Sequence, residues 1–93
     1  MVLPADYNRL SAHERRIARE QYAHEQGNLC AHCGVSLSGP PRVDIRKLWV
    51  DLSLFPQNFL VHPVHLHHNH KTGMTIGAVH ARCNAVLFQY KGE

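Results

Sequence analysis

From Ser11 to Gln26 the residues suited to face inward, Ile17, Ala18, Gln21 and Tyr22, fall at helical intervals, while Arg9, Arg15, Arg16 and Arg19 lie largely on other faces. Ser11-Ala-His-Glu14 has the spacing of a capping box, in which hydroxyl and carboxylate reciprocally bond the free amides of a helix start. A helix is therefore predicted from Ala12 to about Gln26, stopped by Gly27. Cys30-Ala-His-Cys33-Gly34 reads as a tight turn, and Ser36 to Arg42, with Gly39, Pro40 and Pro41, as a loop. The mixed stretch from Val43 to Leu54 around Trp49 suits either a strand or irregular packing, and Pro56 ends it. A change of period follows: Phe59, Val61 and Pro63 alternate with Leu60 and His62, predicting a strand from Phe59 to His68. Lys71-Thr72-Gly73 supplies a turn, Met74 to Val79 a second strand, and His80 to Tyr90 a closing helix with Val86, Leu87 and Tyr90 inward. Trp49, Phe55, Phe59 and Phe88 are assigned to the core, with base stacking as their alternative use.

A chain of 93 residues is expected to make one domain, 1–93, with an N-terminal helix region at 8–27 and a core region at 29–88. Domains of this size bury only about 60 to 65% of their unfolded surface, so something besides apolar packing is expected to hold the fold. Three cysteines cannot all pair as disulfides, and the residues up to Tyr7 lack the basic stretch and apolar core of a signal peptide. A reducing, cytoplasmic setting is thus expected, where thiolates ligate metals more readily than they form disulfides. No apolar run approaches the roughly 20 residues of a membrane span, so no membrane partner is expected. The net charge of +3 permits polyanionic partners without demanding them. Nine histidines in so short a chain ask for an explanation in metal or proton chemistry.

Cys30-x-x-Cys33 and His80-x-x-Cys83 are two ligand pairs, each at the separation with which one turn presents two donors to a tetrahedral ion. All four positions would be filled by protein, so the zinc they predict is structural rather than catalytic. By analogy with zinc-finger peptides it would contribute about 10 to 16 kcal/mol of apparent binding energy to folding. His32, inside the first pair, is the rival fourth ligand. Three buried cysteines acting as small hydrophobes is the plainer alternative, and it leaves the matched spacings unexplained.

His65-Leu-His67-His68-Asn69-His70 abuts this site at the end of the predicted first strand, and Asn84 directly follows the last zinc ligand. Phosphodiester hydrolysis needs a base to activate water and a cation to stabilise charge on the phosphate and the leaving oxygen. An imidazole titrating near neutrality suits the first task. A divalent ion held by few ligands suits the second.

Taken together, Cys30/Cys33, the run from His65 to His70, Thr72-Gly73 and His80-Ala-Arg-Cys83-Asn84-Ala85 resemble the phage recombination endonuclease VII branch of the HNH nucleases. That family's pattern is a CxxC knuckle, a His-Leu-Asp-His-Asp-His type run, a Thr-Gly turn and a second Cys-x-x-Cys-Asn; the likeness spans Leu29 to about Phe88. The resemblance implies an α+β fold of the ββα-metal (HNH, His-Me finger) class, stapled by zinc, with an added N-terminal helix. It implies a metal-dependent DNA endonuclease, nicking or cutting both strands and leaving a 5′ phosphate. His68 would be the general base, His67 and Asn84 would hold the catalytic ion, and His65 and His70 would be accessory residues near the scissile phosphate.

Three departures from the family pattern stand out. His67 occupies the first acidic position, and because imidazole favours borderline transition metals, Mn2+, Ni2+ or Co2+ is expected to serve at least as well as Mg2+. Asn69 occupies the second acidic position and is expected to brace the hairpin turn, while His80 replaces a cysteine in the zinc set. Neighbouring side chains on a strand point to opposite faces, so His67 and His68 can share a site only if the strand ends or bulges there. If His68 faced away, His67 or His70 would become the base. Arg9, Arg15, Arg16, Arg19, Arg42, Arg46, Lys47 and Arg82 are candidate phosphate contacts, Arg82 foremost, against a reading as solvated charges. The expected partners are DNA and phage packaging or recombination proteins, in the cytoplasm of a bacterial host. The rival functions are a non-catalytic zinc module that binds DNA or a partner, and a junction-selective resolvase, which would require a dimer.

Overall fold

The computed structural model describes residues 1–93, with helices α1 (Ala12–Glu25), α2 (Val43–Arg46) and α3 (Ala81–Lys91) and strands β1 (Val64–His68) and β2 (Thr75–His80). The architecture is small and α+β, with one two-stranded antiparallel sheet. The capping box at the start of α1 is formed in both directions: Ser11 Oγ accepts from the Glu14 amide at 3.1 Å, and Glu14 Oε1 from the Ser11 amide at 3.0 Å. Past its end, Gly27 and Asn28 take left-handed backbone conformations that turn the chain towards the first cysteine pair. The inward side of α1 is narrower than its spacing suggests. Ala18 is buried and Tyr22 and Ala23 pack on the core, but Ile17 is left largely exposed. α1 packs on both strands, and Tyr22 Oη lies 2.9 Å from Thr75 Oγ1.

Gln26 joins three parts of the molecule. Its Nε2 donates to the carbonyls of Leu29 (2.7 Å) and Ala78 (2.9 Å), while its Oε1 accepts from the Ala78 amide at 2.9 Å. The approach is so close that a Cβ on Gly77 would lie 3.0 Å from Gln26 Oε1 and 3.1 Å from the Ala31 Cβ. The Ala31 amide also donates to the Ala78 carbonyl, so the cysteine turn and Gln26 together cover the edge of β2 opposite β1.

The strands begin and end differently from the alternation pattern. Phe59 to Pro63 forms turns, with the Phe59 amide bonded to the Pro56 carbonyl and the Val61 amide to the Asn58 carbonyl, so β1 starts only at Val64. Pro63, inside the predicted strand, lacks the N–H that a ladder would use, and pairing begins directly after it. β2 is shifted one residue on, to Thr75–His80. Pairing runs Val64↔His80 through His67↔Gly77 and then His68↔Thr75, so the register shifts at His67/His68, with Ile76 of β2 as the extra residue. Asn69 braces the turn as expected: its Oδ1 accepts from the Lys71 and Thr72 amides at 2.8 and 3.0 Å. The stretch from Val43 to Leu54 is neither strand nor formless; it holds α2, a 3₁₀ turn at Leu52–Leu54, and the buried side chains of Ile45 and Val50.

The core is thin. Only 19 of 93 residues are buried, and three of the ten in the main cluster are Cys30, Cys33 and Cys83, so the cysteine site is itself the centre of the fold. Val86 and Leu87 of α3 join the buried set, whereas Tyr90 is exposed. Two of the four aromatic core assignments need revision. Trp49 is 69% exposed and Phe88 is 40% exposed, leaving Phe55 and Phe59 only half-buried against the cluster. The backbone at Trp49 explains the first: its carbonyl accepts from Gln89 Nε2 and Tyr90 Oη, which holds the main chain on α3 and turns the indole outward. No helix is long and apolar enough to cross a membrane.

Candidate functional site

Local backbone chemistry assembles the cysteine site first. The Cys30 amide donates to the Val35 carbonyl at 2.9 Å and the Gly34 amide to the Cys30 carbonyl at 3.0 Å, closing a turn that Gly34 completes at φ +80°. His80 ends β2 and caps α3, and Cys83 follows one helical turn later, so strand and helix meet where the second pair is needed. The ligand atoms of Cys30, Cys33, His80 and Cys83 all lie within 4.8 Å of one another, and all four residues are buried. His32, the rival ligand, lies outside this set.

The histidine is prepared for ligation. Its Nε2 lies 2.8 Å from the Ser36 carbonyl oxygen, which can only accept, so the proton sits on Nε2 and the Nδ1 lone pair is directed at the thiols, 3.3 Å from Cys33 Sγ and 3.7 Å from Cys83 Sγ. The Cys30 thiol is pushed down to about 3, first by a hydrogen bond from Cys83 and then by the backbone N–H groups of Cys33, His80 and His32, working against burial. Cys83 is pushed up by the same shared hydrogen bond and by burial. A thiolate beside a thiol that holds the remaining proton is a site a cation can enter by displacing that proton. These four residues could hold a metal such as zinc.

The second candidate site is a cleft of about 670 Å³ between α1, the 54–62 segment, β1 and α3. His65, His68, His70 and Asn84 all line it. His67, expected beside Asn84, does not: it is 5% exposed, and its Nε2 lies 3.1 Å from the Glu93 carbonyl oxygen near the end of α3. The pairing that does form is Asn84 with His65. Asn84 Nδ2 donates to His65 Nδ1 at 3.1 Å, and the edge of the His65 ring meets Phe59 with centroids 4.6 Å apart. Burial lowers the pKa of His65, which keeps it a neutral acceptor.

His68 occupies the middle of a stack. The Tyr7 ring covers one face at 3.8 Å with planes 7° apart, and the His70 ring lies 4.7 Å away at 12°. Its pKa is lowered, first by desolvation and then by the positive charge of His70, His67 and Arg15. A neutral imidazole with both faces covered can engage a water molecule only through its ring edge. The stack continues to Arg15, whose guanidinium lies 3.8 Å above the Tyr7 ring and donates twice to the Tyr7 carbonyl, at 3.2 and 3.0 Å.

Nothing periodic in the sequence around Tyr7 marks it as a site residue. It reaches the site through the Tyr7 amide, bonded to the Gly73 carbonyl at 2.8 Å, beside the Asp6↔Met74 bridge. Gly73 has two reasons to be glycine: its φ is +78°, and a Cβ would lie 2.9 Å from both Asn8 Nδ2 and Asp6 Oδ1. The Thr-Gly turn thus serves the hairpin and seats the segment that carries Tyr7.

Not one carboxylate lines the cleft; its charged groups are Arg15 and Arg19, alongside His62 and the three histidines above. The other basic residues are placed differently. Arg9, Arg16 and Arg42 pair with Asp6, Glu20 and Asp44. Arg82, the foremost phosphate candidate, donates to the carbonyls of Leu48 (2.6 Å) and Ile45 (3.3 Å) and ties α3 to the α2 segment. No protein-family model, curated protein or solved structure matches the chain.

Proposed function

We propose that the protein is a metal-dependent DNA endonuclease in which a zinc ion on Cys30, Cys33, His80 and Cys83 braces a histidine-lined hydrolytic cleft. The observation that carries this reading is the gathering of His65, His68, His70 and Asn84, with two arginines and no carboxylate, in one cleft. Such a wall attracts a phosphodiester and offers it a neutral base.

His68 takes the proton from water through the one edge its stack leaves open, and the resulting hydroxide attacks phosphorus in line. Arg15 and Arg19, both lining the cleft, draw the phosphate in and offset its charge. His70, on the outer end of the stack, screens the ring from solvent and stands beside the phosphate path. His65 accepts the Asn84 amide hydrogen and so orients the Asn84 carbonyl oxygen. That oxygen suits a divalent ion, because ions of the magnesium type keep several waters and take one or two protein ligands together with substrate phosphate. When bound there, such an ion supplies charge stabilisation to the phosphate and the leaving oxygen. His67 has no part in this ligand set, since its Nε2 faces the Glu93 carbonyl.

A plasmid nicking assay tests the reading: EDTA should stop cleavage, and Mg2+, Mn2+, Ni2+ or Co2+ added back to protein reloaded with zinc should restore it, leaving 5′-phosphate ends, whereas zinc alone should not. His68→Ala should fold and retain zinc yet cut about 100-fold to 10,000-fold more slowly, as for a lost general base. Near-normal cleavage by that variant would remove His68 from the role. Failure of the unaltered protein to cut with any of these ions would leave a non-catalytic zinc module in its place.

A further inference from the structure

Phosphate chemistry accounts for the charged and polar lining of the cleft and leaves its apolar lining unexplained. The same cleft is also lined by Leu54, Phe55, Pro56, Phe59 and Phe88, which adjoin its histidines: Phe59 meets His65 at 4.6 Å and Phe88 lies 5.6 Å from His70. Phe55 is the hub of this apolar lining, 4.7 Å from Phe59 and edge-on to Phe88 at 5.7 Å. Leu54 and Phe88 remain 52% and 40% exposed, so apolar surface is presented to whatever enters.

Intact duplex offers such a lining nothing. Its bases are paired and stacked inside a rod, and its outer surface is sugar and phosphate, which the cationic groups alone would satisfy. An unpaired strand has both things the cleft asks for: a flexible backbone that can bend into a concavity, and bases whose π-faces are free. Cationic groove plus aromatic platform is the pairing with which proteins hold single strands. The volume of about 670 Å³ lies in the range that encloses small ligands, room for a splayed nucleotide and too confined for a duplex.

We infer that the cleft binds an unpaired stretch of DNA, stacking a base on the Phe55–Phe88 wall while Arg15 and Arg19 hold the backbone. This deepens the nuclease reading and rests on it for the identity of the polyanion, but binding can be measured apart from cleavage. Arg19 makes no ion pair, which leaves its charge available to the ligand.

Fluorescence anisotropy of the zinc-loaded protein with no other divalent ion added, using a labelled single-stranded oligonucleotide and the same strand in a blunt duplex, provides the test. The single strand should bind more tightly, and once a divalent ion is added it should be cut faster. Phe88→Ala should weaken single-strand binding about 10-fold to 100-fold, the usual loss of one aromatic stacking partner, and leave duplex binding unchanged. Phe88→Tyr, which keeps a ring at the same place, should retain the preference. Equal or tighter binding of the duplex overturns the inference, as does a Phe88→Ala variant that keeps the full preference. A single-strand preference without cleavage by any ion upholds this inference and refutes the catalytic reading; equal cleavage of both forms does the reverse.

Discussion

Replacing Tyr7 with alanine isolates the stack that holds His68. The main-chain links of residue 7 survive the change, since its amide still donates to Gly73 and its carbonyl still accepts from Arg15. What goes is the ring, with its 3.8 Å contact to His68 and its 3.8 Å contact to the Arg15 guanidinium. An aromatic pair is worth about 0.5 to 1.5 kcal/mol beyond area. A cation over a ring adds about 0.5 to 1 kcal/mol at an exposed site. The variant should therefore lose about 1 to 2.5 kcal/mol of stability, enough to lower Tm by about 5 to 15 °C in a domain this small while leaving it folded. Uncovering one face of His68 also relieves the desolvation that is the leading cause of its lowered pKa, so the imidazole should titrate at higher pH. A base is active only when unprotonated, so the acid limb of the cleavage profile should move the same way, to higher pH. Above it, a ring free to tilt should cut about 100-fold more slowly, the scale of an error of about 1 Å in a catalytic group. Side-chain NMR titration of labelled histidine reads the pKa directly, and a pH series of nicking rates reads its consequence. Tyr7→Phe keeps the stack and should behave as the parent in both. A Tyr7→Ala protein whose His68 titrates unchanged and whose acid limb stays in place would refute the positioning role, whatever its rate.

Two further predictions concern the frame. Cys83→Ala removes a fully buried ligand from the site at the centre of the core, and the variant should fail to fold and hold no zinc; a stable, zinc-free variant, judged by circular dichroism and metal analysis, would refute the staple. Gln26→Ala strips the Ala78 amide of its side-chain acceptor and the Leu29 carbonyl of a donor, and should destabilise by about 2 to 3 kcal/mol in urea unfolding; a change below about 0.5 kcal/mol, the usual size of a neutral surface substitution, would show that solvent replaces those bonds.

What could be read from sequence was what is decided locally. The capping box of α1 and the turn built on Asn69 involve residues within four positions of one another, and both are present as their spacing predicts. The Cys3His grouping was legible for the same reason, since each pair sits within one turn and the four meet once β2 hands over to α3. What depended on distant partners was not. Alternation predicted a strand from Phe59, but the segment ahead of Pro63 closes into turns through the Pro56 and Asn58 carbonyls. Trp49 has every property of a core residue except a place, because Gln89 and Tyr90, some forty positions later, hold its backbone with the indole outward. His67 illustrates the limit most sharply. The need for a strand end or bulge at His67/His68 was legible, but its effect on side-chain direction depends on which strand carries the extra residue. Ile76 on the partner strand carries it, and His67 ends on the Glu93 carbonyl instead of beside Asn84.

The placement of His67 bears on how the two proposed metals differ. The thiolate-rich set of Cys30, Cys33, His80 and Cys83 is closed, buried and oriented by Ser36, the conditions under which a borderline-soft ion such as zinc is retained. The cleft has neither a carboxylate nor His67, and Asn84 offers it a single neutral oxygen. An ion there is held mainly through the phosphate it neutralises, so its affinity for the free protein is weak and rises when DNA is bound. The expected preference for manganese, nickel or cobalt rested on an imidazole ligand at position 67, and with His67 on the Glu93 carbonyl that ground for favouring them over magnesium is gone. A carboxylate in the cleft would tighten the ion and also repel the strand that Arg15 and Arg19 attract. On the proposed reading, its absence would trade metal affinity for nucleic-acid affinity, at a tolerable cost if zinc on the cysteine site, not the cleft ion, maintains the fold.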